Sequence, residues 1–368
     1  MRIFKTIFAV LLGCSAALSA NAGEDKVVHI YNWNDYMDET SLQAFEKETG
    51  IKPTYDIFDG NEILQAKVLA GSTGYDIVAP GSNFLKRQIQ AGALEKFDKS
   101  KLPNFKNLDP IILEKMQRSD PGNDYAIPYL VGSTGIGYNA GKLEEIFGKG
   151  FVPDSWDIIF KKENAEKLSA CGIGMLNEPT EIFATTLHYL KLNENSTDPK
   201  DYKAAFEKLL EIRPYIRYFH STQILNDLAS GDICIAIGWS GDIIQASKKA
   251  KASGSGVDLR YMVPKEGALM YIDTMAITAD APDKENAYTF LNFVMRPDIM
   301  ASISGYTANM SGNKAAFEFI DPAVRSNPNV FFPEDLLKKM YTIDLIPPKM
   351  LKKLNRMWTK IKTTKSGD

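Results

Sequence analysis

From Lys26 onward the apolar and polar positions fall into two alternating periods. Val27 to Tyr31, Lys52 to Phe58 and Tyr75 to Ala79 are short runs rich in β-branched and aromatic residues, and each predicts a strand. Between and after them, Thr40 to Thr49, Asn61 to Ala70 and Asn83 to Gln90 carry helical spacing, the first stopped by Gly50 and the second by Gly71. The pattern restarts after Ile127-Pro128-Tyr129, read as a loop leading into a strand over Gly135 to Asn139. Helices are predicted at Ser155 to Ser169, Pro179 to Leu190, Asp201 to Ile212 and Lys284 to Met295. Strands are predicted at Ile173 to Leu176, Ile233 to Ile237, Leu259 to Val263 and Met270 to Ile277. Alternation of this kind predicts an α/β fold with a mainly parallel sheet and helices on both faces. Two such lobes with more than one crossing between them leave a cleft. The expected division assigns 23–132 and 258–308 to one lobe and 133–257 and 309–368 to the other.

The N-terminus carries a different signal. Arg2 and Lys5 precede an apolar run from Ile7 to Leu12, and Ala20-Asn21-Ala22 follows as a small-x-small site. That is the order of a secretory signal peptide over residues 1–22, cleaved near Ala22. The run is too short to span a bilayer. Leu11-Leu12-Gly13-Cys14 also resembles a lipid-attachment box, which leaves Cys14 as an alternative anchor. Without Cys14 two cysteines remain, Cys171 and Cys234. An even pair in an exported chain reads as a disulfide, with two buried thiols as the alternative.

Charge narrows the partners. The chain has 43 Lys and Arg against 46 Asp and Glu, well mixed, which gives no basic patch suited to nucleic acid. The Lys-rich stretch from Lys349 to Lys365 spaces its cations around Met350, Leu351, Leu354, Met357 and Trp358. It predicts a helix docked by its apolar face with a solvated basic face, a membrane-surface helix being the alternative.

Candidate chemistry sits where aromatic rings meet acids. Trp33-Asn34-Asp35-Tyr36 follows the first strand, Trp239-Ser240-Gly241-Asp242 follows the strand ending at Ile237, and Tyr271-Ile272-Asp273 lies within a strand. Such pairs arise often by chance. Their position at strand ends, where open α/β sheets bind ligands, gives them weight. Ring faces attract an organic ammonium and shield its methylenes while carboxylates accept its N–H bonds. Glu178 and Glu181, flanking Pro179 at a helix start, are read either as helix-terminal charge or, for Glu181, as a further acid facing the cleft. Catalytic patterns are sparse. His29, His188 and His220 have no metal-ligand spacing, and the cysteines have no CxxC. Gly135-Ile136-Gly137-Tyr138-Asn139-Ala140 matches a dinucleotide fingerprint only weakly, because Ile136 and Tyr138 look like strand residues. No cofactor or metal is expected. Paired acids leave a secreted carbohydrate-active enzyme as the alternative to binding without chemistry.

Several co-linear runs resemble the periplasmic polyamine (putrescine/spermidine)-binding proteins of bacterial ABC importers. They include Tyr31-Asn32-Trp33-Asn34-Asp35-Tyr36, Phe45 to Ile51, Ala70 to Gly74, Thr134 to Asn139, Ile216 to Ser221, Gly231 to Cys234, Ala236 to Trp239 and Pro264 to Ala268. The resemblance implies a two-lobed type II periplasmic solute-binding fold, non-enzymatic, expected as a monomer, that delivers its ligand to a membrane permease. It implies that Trp33, Tyr36, Trp239 and Tyr271 box an aliphatic chain. Asp242 and Asp273 would hold one ammonium, and Glu181 and Asp35 would serve the other. Asn34, Ser82, Asn83 and Glu178 complete the expected ligand set. Three departures bear on which polyamine binds. Gly81-Ser82-Asn83 stands where the putrescine-binding members have Ser-x-Ser, Glu178 stands where they have a small apolar residue, and Tyr271 stands for a Phe or Trp. The spermidine-preferring members carry an acid at the Glu178 position but an amide where this chain has Ile343. A diamine and a triamine both remain open, as does a sensing role in place of transport.

Overall fold

The computed structural model describes residues 26–364 apart from Asp35 and Asp59. The expected signal peptide over residues 1–22 and its expected cleavage site, with Cys14 and Asp35, therefore lie outside the described residues. Ten strands form one continuous sheet: β1 (Val27–Trp33), β2 (Lys52–Phe58), β3 (Ile77–Val78), β4 (Ala126–Asn139), β5 (Ile173–Met175), β6 (Ile216–Phe219), β7 (Ile235–Trp239), β8 (Leu259–Met262), β9 (Leu269–Ile277) and β10 (Met310–Ser311). The order is β2-β1-β3-β9-β4-β7-β5-β6. Two parallel blocks, β2-β1-β3 and β7-β5-β6, are joined through the antiparallel strands β9 and β4. Each block obtains its parallel pairing from strand–helix–strand crossovers. The first runs through the helix Glu39–Thr49, which starts where the Asp38 carboxylate accepts from the Ser41 N–H at 2.9 Å and stops at Gly50 in the left-handed region (φ 68°).

β4 is the strand both halves share. Its Ala126–Thr134 stretch pairs with β9, and its Thr134–Tyr138 stretch pairs with β7 on the opposite edge. All fourteen of its residues are buried, so the chain shows no alternation there. That explains why Ile127-Pro128-Tyr129, expected as a loop, is strand. Pro128 is accommodated beside a register shift between Pro128 and Leu130. β8 pairs with Ile136–Asn139, beyond the stretch paired to β9, whereas β10 pairs with Leu130 and Val131. On this pairing we propose lobe boundaries that keep β8 with the second lobe and β10 with the first, in place of divisions at 257/258 and 308/309.

Other differences have local causes. The helix expected over Ser155 to Ser169 breaks at Lys161 (φ −79°, ψ 123°) into Asp157–Phe160 and Lys162–Ser169. The dinucleotide-like glycines lie inside β4, where neighbours approach too closely for a side chain. A Cβ on Gly135 would lie 2.4 Å from the Tyr261 hydroxyl, and one on Gly137 would lie 2.8 Å from Ile243. Cys171 and Cys234 form the disulfide, with Cα atoms 5.6 Å apart, tying the segment before β5 to the start of β7. The helix Pro348–Thr363 buries Met350, Leu354, Trp358 and Ile361, while Leu351 stays exposed. Among the described residues, no helix is long and apolar enough to cross a membrane.

Candidate functional site

The register places one row of the site without further assumption. In an antiparallel sheet, residues directly opposite share a face, and so do residues two apart along a strand. Opposite Leu130, Gly132 and Thr134 of β4 stand Asp273, Tyr271 and Leu269 of β9, and on the other edge Thr134 faces Trp239 of β7. Trp239, Thr134, Tyr271 and Asp273 therefore lie on one face of the sheet. The row from Thr134 to Leu130 covers about 13 Å of strand. Tyr271 can lie across the sheet because its opposite neighbour is glycine. A Cβ on Gly132 would fall 2.0 Å from the Tyr271 ring.

One end of the row gathers Tyr36, Tyr271, Asp242 and Asp273. Asp273 is buried and accepts from the Tyr36 hydroxyl. Burial pushes its carboxyl up to about 7; the Tyr36 bond opposes the shift and the charge of Glu181 adds to it. The Tyr36 backbone carbonyl is held by the Tyr129 hydroxyl. Burial raises the Tyr36 phenol well above its usual range, and the negative charges of Asp273 and Asp242 add to that. Asp242 sits in the first turn of the helix Ser240–Ser253, and burial raises its carboxyl against a smaller opposing pull from Lys249. The Tyr271 hydroxyl donates to Asn309 Oδ1 at 3.0 Å and lies 3.4 Å from Ser240 Oγ. The Trp33 ring packs on Phe58 at 4.6 Å between centroids and stands 6.1 Å from that of Tyr36.

The other end gathers Glu178 and Glu181 at the start of the helix Pro179–Tyr189. Glu181 Oε2 accepts from Thr134 Oγ1 at 2.7 Å and from the Trp239 indole N–H at 3.0 Å. Burial still raises its carboxyl, and those two bonds oppose the shift. Glu178 accepts from Ser221 Oγ at 3.3 Å. Burial carries it up to about 7, the Glu181 charge adds, the Ser221 bond opposes, and Glu62 on the other side of the cleft adds a smaller push.

These four carboxylates take part in no salt bridge among the described residues. Nor do the described residues contain a group of acids, histidines and cysteines arranged to hold a metal ion. An elongated dication bounded by rings and ending on acids is the chemistry this arrangement accommodates.

The bacterial extracellular solute-binding protein profile matches residues 40–332. The chain belongs to that family. It is 47% identical, over 99% of each chain, to the putrescine-binding periplasmic protein SpuD of Pseudomonas aeruginosa. It is equally identical, over 98% of each, to the putrescine-binding periplasmic protein PotF of Escherichia coli. Among solved structures, the spermidine/putrescine ABC transporter substrate-binding protein PotD from Streptococcus pneumoniae superposes with a TM-score of 0.81 at 26% identity. That match covers 92% of this chain and 98% of that one. The fold of this solute-binding protein is accordingly the two-lobed type II architecture, and the protein is a binding component rather than an enzyme.

Of the residues singled out from sequence, the structure gathers Trp33, Tyr36, Glu178, Glu181, Trp239, Asp242, Tyr271 and Asp273. Ser82 and Asn83 open the helix Ser82–Gln90, beside Gly81, which forms an isolated bridge with Asp273. Asn34 is exposed in the turn after β1. Sequence reasoning missed Thr134, Ser221, Ser240, Asn309 and Glu62. Ser240 lies inside the Trp239–Asp242 run but carries neither ring nor charge, and the other four lie outside the three aromatic–acid runs, so only the sheet register and the three-dimensional approach bring them in. Gly132 carried a signal in principle, since a lone glycine in a strand often marks close approach of another group.

Proposed function

We propose that this protein captures a linear aliphatic polyamine, putrescine or spermidine, in the periplasm and delivers it as a monomer to the membrane permease of an ABC importer. The observation that carries this reading is the set of four desolvated carboxylates, divided between two ends of a ring-lined row and forming no salt bridge among the described residues. A buried carboxylate without a counter-charge is strongly disfavoured, and a ligand with one ammonium at each end supplies both missing partners. Trp33, Tyr36, Trp239 and Tyr271 would enclose the methylenes. Asp242 and Asp273 would take one ammonium, and Glu181 the other. The names of SpuD and PotF, both putrescine-binding, support the same class of ligand. Glu178, with Ser221 and Glu62 beside it, is an acid in excess of what a diamine needs, and we assign it to a third amine.

Calorimetric titration with putrescine, cadaverine, spermidine, spermine and basic amino acids tests the proposal. A single 1:1 site for a diamine or triamine is expected. Heat with a sugar or peptide and none with any polyamine would overturn it. Intact mass of exported material is expected to place the mature N-terminus near Gly23.

A further inference from the structure

The helix Pro348–Thr363 buries its apolar face in the second lobe, which rules out insertion of that face into a bilayer. Its opposite face is of one sign. Lys349, Lys352, Lys353, Arg356 and Lys360 are all exposed. At 100° per residue they fall within an arc of about 100°, opposite the buried side, in a stripe about 17 Å long. No acid occurs anywhere in the helix. None of the five forms a salt bridge among the described residues. Lys362 is a sixth exposed cation on the same helix. The chain has 43 cationic and 46 anionic side chains, so outside this helix the count is 37 against 46. The helix thus carries six cations and no acid, while acids outnumber cations over the rest of the sequence. Beside the stripe, Leu351, Lys352, Asn355, Arg356 and Thr359 line an open depression of about 590 Å³.

We infer that this stripe is an electrostatic docking surface for a bilayer rich in anionic phospholipid headgroups. Four of the five cations are lysines, point charges on flexible stems that suit a diffuse lattice of phosphates, whereas recognition of a fixed carboxylate geometry favours arginine. The remaining acidic surface is repelled by the same bilayer, so adsorption orients the molecule as well as holding it. The orientation is useful. At the end of the helix, Trp358 Nε1 and Lys362 Nζ each donate to Asn177 Oδ1 at 3.0 Å, and Asn177 immediately precedes Glu178 at the site. Drawing this helix to a membrane draws the second lobe's wall of the cleft toward it, while burial of the apolar side keeps the contact shallow and reversible.

The test uses the mature protein and vesicles of phosphatidylcholine alone or with one-third phosphatidylglycerol, read by co-sedimentation at low and at physiological salt. The stripe variant is Lys352→Glu with Arg356→Glu. A control, Lys86→Glu with Lys106→Glu, changes net charge equally at exposed lysines elsewhere. Polyamine titration confirms that each variant is folded. Binding to the anionic vesicles, weakened by salt, is expected for the parent protein. With about 1 kcal/mol per cation near such a surface, loss of two is expected to weaken partitioning about thirtyfold or more in the stripe variant, and little in the control. Equal binding to both vesicle types, or equal losses in the two variants, would overturn the inference. So would a stripe variant that imports polyamine poorly while the parent ignores lipid, which would assign the stripe to an acidic protein partner.

Discussion

Asp273→Asn has opposite consequences for the free and the liganded protein, and that opposition is the sharpest consequence of the site's electrostatics. The substitution keeps the shape of the side chain and an oxygen that can accept from the Tyr36 hydroxyl. It removes a charge that the free protein holds in a buried position without a cation. With its carboxyl raised to about 7 in the folded state against an ordinary value near 3.9, Asp273 binds a proton in the native protein that the unfolded chain has released. Stability of the free protein therefore falls as pH rises from about 4 through about 7. Above that window the full penalty is about 4 kcal/mol as an upper figure. The Asn variant escapes this penalty. Its free form is expected to melt at a higher temperature than the parent at pH 8 and at nearly the same temperature at pH 5. Polyamine binding runs the other way. Removing one partner of a desolvated charge pair costs about 3–5 kcal/mol, or between two and four powers of ten in affinity. Calorimetry with putrescine at pH 8 and thermal melts from pH 5 to 8 measure both effects. Unchanged affinity, or a free Asn variant less stable than the parent at pH 8, would refute the reasoning.

Glu178 is also raised to about 7, so polyamine affinity is expected to strengthen from pH 6 to 8 as both carboxyls ionise. Titrations in buffers of different ionisation heat should show proton release on binding near neutral pH. Glu178→Gln is expected to weaken spermidine much more than putrescine, and equal losses would reduce Glu178 to helix-terminal charge. Gly132→Ala forces Tyr271 aside and is expected to cost about 1–3 kcal/mol of stability, with a clear loss of affinity, read by melting and calorimetry. Reduction of the Cys171–Cys234 bridge, which spans 63 positions, is expected to lower stability by about 4 kcal/mol without abolishing binding. Two freely alkylated thiols in native exported protein would exclude the bridge.

Much of the first lobe was legible because its elements are local. Gly50 marks the end of one helix, and β1 and β2 carry their own periodicity. The second lobe was less legible for physical reasons. β4 is buried along its whole length, so the alternation that reveals a strand is missing, and its proline resembles a loop signal. The helix Gln223–Ser230 went unread because it is only about two turns long, and Ser240–Ser253 because small and polar residues interrupt its apolar face. At the site, rings and acids were visible in the chain, but their bonding partners were not. Thr134 reaches Glu181 across 47 positions and Asn309 reaches Tyr271 across 38, distances at which no sequence pattern survives.

The division of the site between the two halves of the sheet links its charge to its motion. Tyr36 and Asp273 belong to the β1–β9 half, whereas Asp242, Glu178, Glu181 and Trp239 project from the β7–β5 half. Across that division Asp242 lies near the Tyr36–Asp273 pair and Glu62 near Glu178, so acidic groups face one another in a poorly solvated space. Burial is the first cause of the raised carboxyls at both ends, and the Glu181 charge adds to the shifts of Glu178 and Asp273. A cation that ends on both sets interacts far more favourably with the closed arrangement than with the open one, and only such a difference can shift the balance between them. A monoamine would relieve one end and leave the other repelling. We propose that ligand length is read through closure itself, both ends being neutralised together before the lobes gain by meeting.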